Sequence, residues 1–239
     1  MKKTLKSLAR ELSSEELASM IDHTFLSPAG EKGAVRKLCR EAKKYNFASV
    51  CVNPSEVKLA AHLLKGSSVA VCTVVGFPLG QNATRIKVAE AIAAIEDGAS
   101  ELDFVINQRL LKYDPFGPAG CKAELVELVA ASKRAGGEGV VTKLILECCN
   151  LTDEEISLAC TLAKDAGFDF VKTSTGFGSG GAREEDVRLM RRCVGKKMGV
   201  KASGGIRTRE DACKMIAAGA SRIGCSSSIK IVRGKNEVF

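Results

Sequence analysis

The chain has 239 residues, of which 45% are hydrophobic and 27% charged. That is the composition of a globular protein with a sizeable core, and it excludes a disordered or fibrous chain. The formal net charge is +8 with few aromatics and no nucleic-acid motif, so the sequence reads against nucleic-acid binding and for a small anionic, phosphorylated partner. There are ten cysteines, none spaced C-x-x-C and most inside apolar runs, which reads as free thiols in a reducing compartment rather than disulfides or zinc ligands. No apolar run has membrane-spanning length, and Met1-Lys2-Lys3 is not followed by the apolar run of a signal peptide.

Short apolar runs alternate with helical stretches along the whole chain. Strands are predicted near 20–25, 48–52, 69–75, 101–106, 140–146, 168–172, 199–201 and 222–224. Between them, Val88, Ile92 and Ile95 predict one buried helix stripe. Ile156, Ala159, Cys160 and Ala163 predict a second, and Val187, Met190 and Val194 a third. Thr152 and Glu155 form a capping box, and Gly167 and Gly219 stand where helices end. A helix end, a glycine turn and a strand recur at Gly98, Gly167 and Gly219. Eight such units in one α/β chain predict a single-domain, closed (β/α)8 TIM barrel over residues 1–239, with a short N-terminal helical extension. An open doubly wound sheet is the competing architecture. Residues 114–120 read as an irregular surface loop.

In such a barrel the chemistry lies at the C-terminal strand ends. Lys172 ends the sixth strand, sharing a face with Phe170 and Ser174. Desolvation disfavours an ammonium, and a neutral lysine amine adds to carbonyls to form a Schiff base. Lys201 ends the seventh strand and Asp103 lies in the fourth. Two lysines and an acid inside apolar strands are costly to desolvate without a function. They read as a Schiff-base lysine, a second ammonium acting on it by like-charge repulsion, and a proton shuttle. The fifth strand carries Lys143 and, on the same parity, Glu147. Gly204 and Gly205 after strand seven, and Ser226 and Ser227 after strand eight, stand where a barrel cradles phosphate on backbone amides.

Gly176 to Gly181 match G-x-G-x-x-G, but no acid follows to hold a ribose, so the run reads against a nicotinamide cofactor. His23 reads as structural and His62 as a helix-surface residue. No His/Cys/Asp set has metal-ligand spacing, so no metal is expected.

Ile21-Asp22-His23-Thr24, Val50-Cys51-Val52, Gly76-Phe77-Pro78-Leu79-Gly80, Glu101-Leu102-Asp103, Lys172-Thr173-Ser174-Thr175-Gly176, Lys201-Ala202-Ser203-Gly204-Gly205 and Gly224-Cys225-Ser226-Ser227 together resemble the deoxyribose-phosphate aldolases, a class I aldolase family. The resemblance spans Met20 to Ser228. It implies reversible cleavage of 2-deoxy-D-ribose 5-phosphate, no cofactor, a cytoplasmic location, a catabolic role and a homo-oligomer, dimer or tetramer. It makes Lys172 the Schiff-base lysine, Lys201 its perturbing neighbour and Asp103 part of the proton relay. It adds Asp22, Thr24, Cys51 and Lys143 to the substrate-binding set, with Thr175, Gly176, Gly204, Gly205, Ser226 and Ser227 on the phosphate side. Phe177 follows the Thr-Gly pair where some members carry lysine, and Ser27 replaces a lysine. The end of the chain, Glu237-Val238-Phe239, lacks the tyrosine that some members place there. Another Schiff-base sugar-phosphate or keto-acid aldolase, and a non-catalytic phosphate-binding barrel, are the alternatives.

Overall fold

A computed structural model describes residues 11–113 and 118–233. The expected roles of the C-terminal tail, of 114–117 and of residues 1–10 fall outside these.

Eight parallel strands close into a barrel in sequence order. They are β1 (Ile21–Phe25), β2 (Ser49–Val52), β3 (Ala70–Val75), β4 (Glu101–Val105), β5 (Val141–Ile145), β6 (Phe170–Lys172), β7 (Gly199–Ser203) and β8 (Arg222–Cys225). β8 pairs with β1, so no strand edge is left open and the doubly wound alternative is ruled out. Each lies within two residues of its sequence expectation. Apolar outward-facing residues such as Val50, Leu102, Leu144, Val171, Val200 and Ile223 are buried in the layer between barrel and helices.

The helices, in chain order, are α1 (Ser14–Ala18), α2 (Ala34–Tyr45), α3 (Val57–Leu64), α4 (Thr84–Glu96), α5 (Gln108–Tyr113), α6 (Ala119–Gly136), α7 (Asp153–Ala166), α8 (Glu184–Val194), α9 (Arg209–Ala218) and α10 (Ser228–Arg233). α1 lies immediately before β1. The Thr152–Glu155 capping box opens α7, and Gly167 closes it in the left-handed conformation, φ 88°. Thr208 and Asp211 open α9 in the same way.

Two expectations are corrected. Residues 119 and 120 are not loop: α6 begins at Ala119, with Pro118 as its N-cap. In α4 the fully buried stripe is Lys87, Ala91 and Ala94, one residue out of step with Val88, Ile92 and Ile95, which are only half-buried. The helix turns this way because Lys87 has partners inside. Its Nζ lies 2.8 Å from Glu124 Oε1 of α6 and 3.0 Å from the Val105 carbonyl. A hydropathy pattern counts Lys87 as surface, whereas the ion pair makes it core.

Candidate active site

Strand register brings the charged residues together. Lys172 is the Cα partner of Lys201 across β6 and β7, and Asp103 is the partner of Lys143 across β4 and β5. All four point into the barrel and are almost wholly buried. Lys172 Nζ donates to Asp103 Oδ2 at 2.7 Å, and Lys201 Nζ reaches that same oxygen at 2.7 Å. Lys143 Nζ donates to Asp103 Oδ1 at 2.8 Å and lies 2.6 Å from Glu101 Oε2. Below them, Lys201 also pairs with Asp22 Oδ2, and Arg222 Nη1 donates to Asp22 Oδ1 at 2.6 Å. The Arg222 guanidinium stacks over the Phe170 ring at 5.5 Å. Gly224 leaves room for this packing, since a Cβ there would stand 2.9 Å from Lys201 Cε.

Four cations therefore face three carboxylates, and the surplus positive charge favours an anionic ligand. Burial pushes Asp103 up, but Lys143, Lys172 and Lys201 outweigh it and hold the carboxyl well below its usual range. Asp22 is likewise lowered, with Lys201, Lys143 and Arg222 overcoming its burial. Burial opposes the ammonium of Lys201 and of Lys143, yet the facing carboxylates, Asp103 first, raise both.

Above this network opens a cavity of about 550 Å³. Lys172 is at its floor, and Thr24, Thr175, Gly176, Gly204, Gly205, Ser226 and Ser227 are in its wall. Asp22, Cys51, Asp103, Lys143 and Lys201 do not line it. They lie beneath it, and of them Asp103 is hydrogen-bonded to Lys172. Cys51 belongs to a separate apolar patch with Leu26, Cys72 and Val74, against which Phe77 packs. Gly204 and Gly205 both have left-handed backbone, φ 86° and 79°. Gly181 passes so close that a Cβ on it would stand 2.3 Å from the Gly204 carbonyl oxygen. The run from Gly176 to Gly181 is thus a packed barrel loop and not the turn of a dinucleotide fold.

His23 is buried, with Nδ1 2.8 Å from Ser228 Oγ and Nε2 3.0 Å from Glu41 Oε2. Burial pushes it below its ordinary value against the pull of Glu41.

Sequence reasoning named neither Glu101 nor Arg222 as a site residue. Glu101 shares a strand face with Asp103, and Arg222 is the register partner of Lys201. That parity was the available signal. Glu147 is corrected: β5 stops at Ile145, and Glu147 sits in a left-handed turn, off the strand. Cys51, Cys72 and Asp103 bring donor atoms within 4.8 Å of one another, as do Asp22, Cys72 and Glu101, although their sequence spacing gives no hint of it. Lys143 Nζ lies among them, 3.4 Å from Cys72 Sγ, so an ammonium already serves these groups.

The family model for the DeoC/LacD family aldolases matches residues 17–232. The chain belongs to this family. A deoxyribose-phosphate aldolase from a Thermoanaerobacter species is 54% identical to this aldolase over 222 residues, covering 93% of this chain and 98% of the relative. A deoxyribose-phosphate aldolase of Bacillus cytotoxicus is 56% identical over 218 residues, covering 90% and 94%. Among solved structures, the tetrameric deoxyribose phosphate aldolase from Aeropyrum pernix superposes with a TM-score of 0.87 at 38% identity, covering 96% of this chain and 95% of that one.

Proposed function

We propose that this aldolase reversibly cleaves 2-deoxy-D-ribose 5-phosphate to D-glyceraldehyde 3-phosphate and acetaldehyde through a Schiff base on Lys172. The observation that carries the reading is a lone lysine at the floor of the cavity, hydrogen-bonded at 2.7 Å to a carboxylate held by two further ammonium groups.

The Lys172 amine adds to C1 of the open-chain sugar, and loss of water gives an iminium. A base removes the C3 hydroxyl proton, the C3 carbonyl forms, and the C2–C3 bond breaks with its electron pair passing into the iminium. Glyceraldehyde 3-phosphate leaves. The remaining enamine is protonated at C2, and hydrolysis returns the water, frees acetaldehyde and restores the lysine. Covalent attachment replaces one difficult step with easier ones. Asp103, acting directly or through water, is the proton shuttle, and Lys201 keeps its carboxylate charge neutralised. Thr175, Gly176, Gly204, Gly205, Ser226 and Ser227 take the phosphate end, with Thr24 in the same wall. Asp22, Cys51 and Lys143 act from beneath, through the charge network and its apolar flank. The surplus positive charge of the network and the backbone amides of the glycine turns suit a phosphate.

Ten free cysteines support a reducing, cytoplasmic setting. The Aeropyrum pernix tetramer supports a homo-oligomer, and the proposed reaction supports a catabolic role for deoxyribose phosphate. Among the described residues no helix is long and apolar enough to cross a membrane.

A panel of aldol substrates tests the reading. Deoxyribose 5-phosphate should be consumed with matching yields of acetaldehyde and glyceraldehyde 3-phosphate, ahead of ketose phosphates and keto-acid aldols. Preference for one of those would assign a different aldolase, and binding without turnover would assign a phosphate-binding barrel.

A further inference from the structure

Glu147 is one of two described non-glycine residues with positive φ. The other, Asn46, caps the C-terminus of α2, where that conformation is common. Glu147 has no such excuse: its φ is 56° and ψ 64°, a conformation that strains a side-chain-bearing residue. It is held there by its neighbours. Leu146 N–H donates to the Lys172 carbonyl and Cys148 N–H to the Thr173 carbonyl, both at 2.9 Å. The Gln108 side-chain amide donates to the Glu147 carbonyl at 3.2 Å.

The turn delivers a buried carboxylate onto the loop that follows β6. Oε1 accepts the Thr175 N–H at 3.2 Å, and Oε2 accepts the Thr175 hydroxyl. Thr175 Oγ1 in turn accepts the Phe177 N–H at 3.0 Å. Gly178 closes over the same group, for a Cβ there would stand 3.0 Å from Glu147 Cδ. The segment from Thr175 to Phe177 has the Lys172 cavity on one side. On the other lies a second cavity of about 290 Å³ that Glu147, Gln108 and Leu79 also line. The segment is a thin wall between two spaces, and one carboxylate braces it.

We infer that Glu147 is the positioning residue of this wall, setting the affinity for the phosphorylated end of the substrate without taking part in the chemistry at Lys172. The inference rests on the proposed reading that Thr175 and Gly176 face the phosphate.

The test compares Glu147→Gly, Glu147→Gln and the unaltered enzyme. Glycine adopts positive φ without strain, so Glu147→Gly keeps the turn and deletes only the brace. Its KM for deoxyribose 5-phosphate should rise by about tenfold or more, the loss of a hydrogen bond to a charged group. Its kcat, and its KM for unphosphorylated deoxyribose, should stay within about threefold by the same measure. Glu147→Gln, whose amide can still bond Thr175, should restore most of the affinity. Amide exchange at Thr175 and Phe177 should quicken in the glycine variant and not in the glutamine one. Unchanged exchange, or equal KM changes for both sugars, would overturn the inference. Faster exchange in a protein that cleaves neither sugar would keep the brace and remove the proposed function instead.

Discussion

Lys172 and Lys201 are register partners on neighbouring strands and share one carboxylate oxygen, Asp103 Oδ2, at 2.7 Å each. Sequence reasoning took Lys201 for a second ammonium acting on Lys172 by like-charge repulsion. In the fold it is neutralised by Asp103 and Asp22, so its effect on Lys172 runs largely through competition for Asp103.

That competition has a sign. In Lys201→Leu, Asp103 Oδ2 loses one of its two ammonium partners and is left to Lys172 alone, so it holds that amine more tightly. The acid limb of kcat/KM should move up in pH, with a lower maximum. A pH–rate profile superimposable on that of the unaltered enzyme would remove Lys201 from the mechanism.

The phosphate side makes a separate demand. Ser226→Asp places a carboxylate where the proposed reading seats the dianion, and like charges in contact are strongly unfavourable, so KM for deoxyribose 5-phosphate should rise roughly tenfold or more. Unphosphorylated deoxyribose should be affected much less. Steady-state kinetics on both sugars decide it, and equal effects would move the phosphate elsewhere.

Acid stability follows from the same network. The folded protein holds Asp22 and Asp103 below the ordinary carboxylate value of 3.8, despite burial, through Lys201, Lys143 and their cationic neighbours. The unfolded chain titrates near 3.8 and so binds protons first as pH falls. The contribution of these carboxylates is complete above about pH 5 and is lost on descending through and below 3.8. Urea midpoints should fall steeply in that range. Asp22→Asn, weaker at neutral pH, should show a shallower acid fall; an equal slope would contradict the account.

The Lys87–Glu124 pair is buried on both sides. Lys87→Met takes the ion-pair partner from the buried Glu124 and leaves it only the Thr84 hydroxyl as side-chain donor, at a cost of roughly 3–5 kcal/mol by urea unfolding. Lys87→Met combined with Glu124→Leu should recover most of it. A double variant as unstable as the single one would show that the helix register depends on something other than the pair.

The barrel was legible because its signals are local. Alternating apolar runs, the Thr152–Glu155 box and the Gly167 cap each act within a few residues. The inward lysines were legible because a charge inside an apolar strand stands out. What parity could not supply was depth along the barrel axis. Asp22 and Lys143 share the inward face with Lys172 yet lie under the cavity, and Arg222 joins them from a strand whose charge reads as an end. The Lys87 stripe was missed because a buried ion pair looks like surface in a hydropathy pattern. The role of Glu147 was hidden because it depends on a backbone conformation, which no residue spacing encodes.

The central claim is that Lys172 carries the covalent intermediate, and borohydride trapping tests it most directly. The protein is incubated with deoxyribose 5-phosphate, reduced, and read by intact mass and peptide mapping. The account predicts one stable adduct on Lys172, absent in Lys172→Ala, which also loses turnover. A folded, active protein with no adduct, or with the adduct on Lys201 or Lys143, would contradict it.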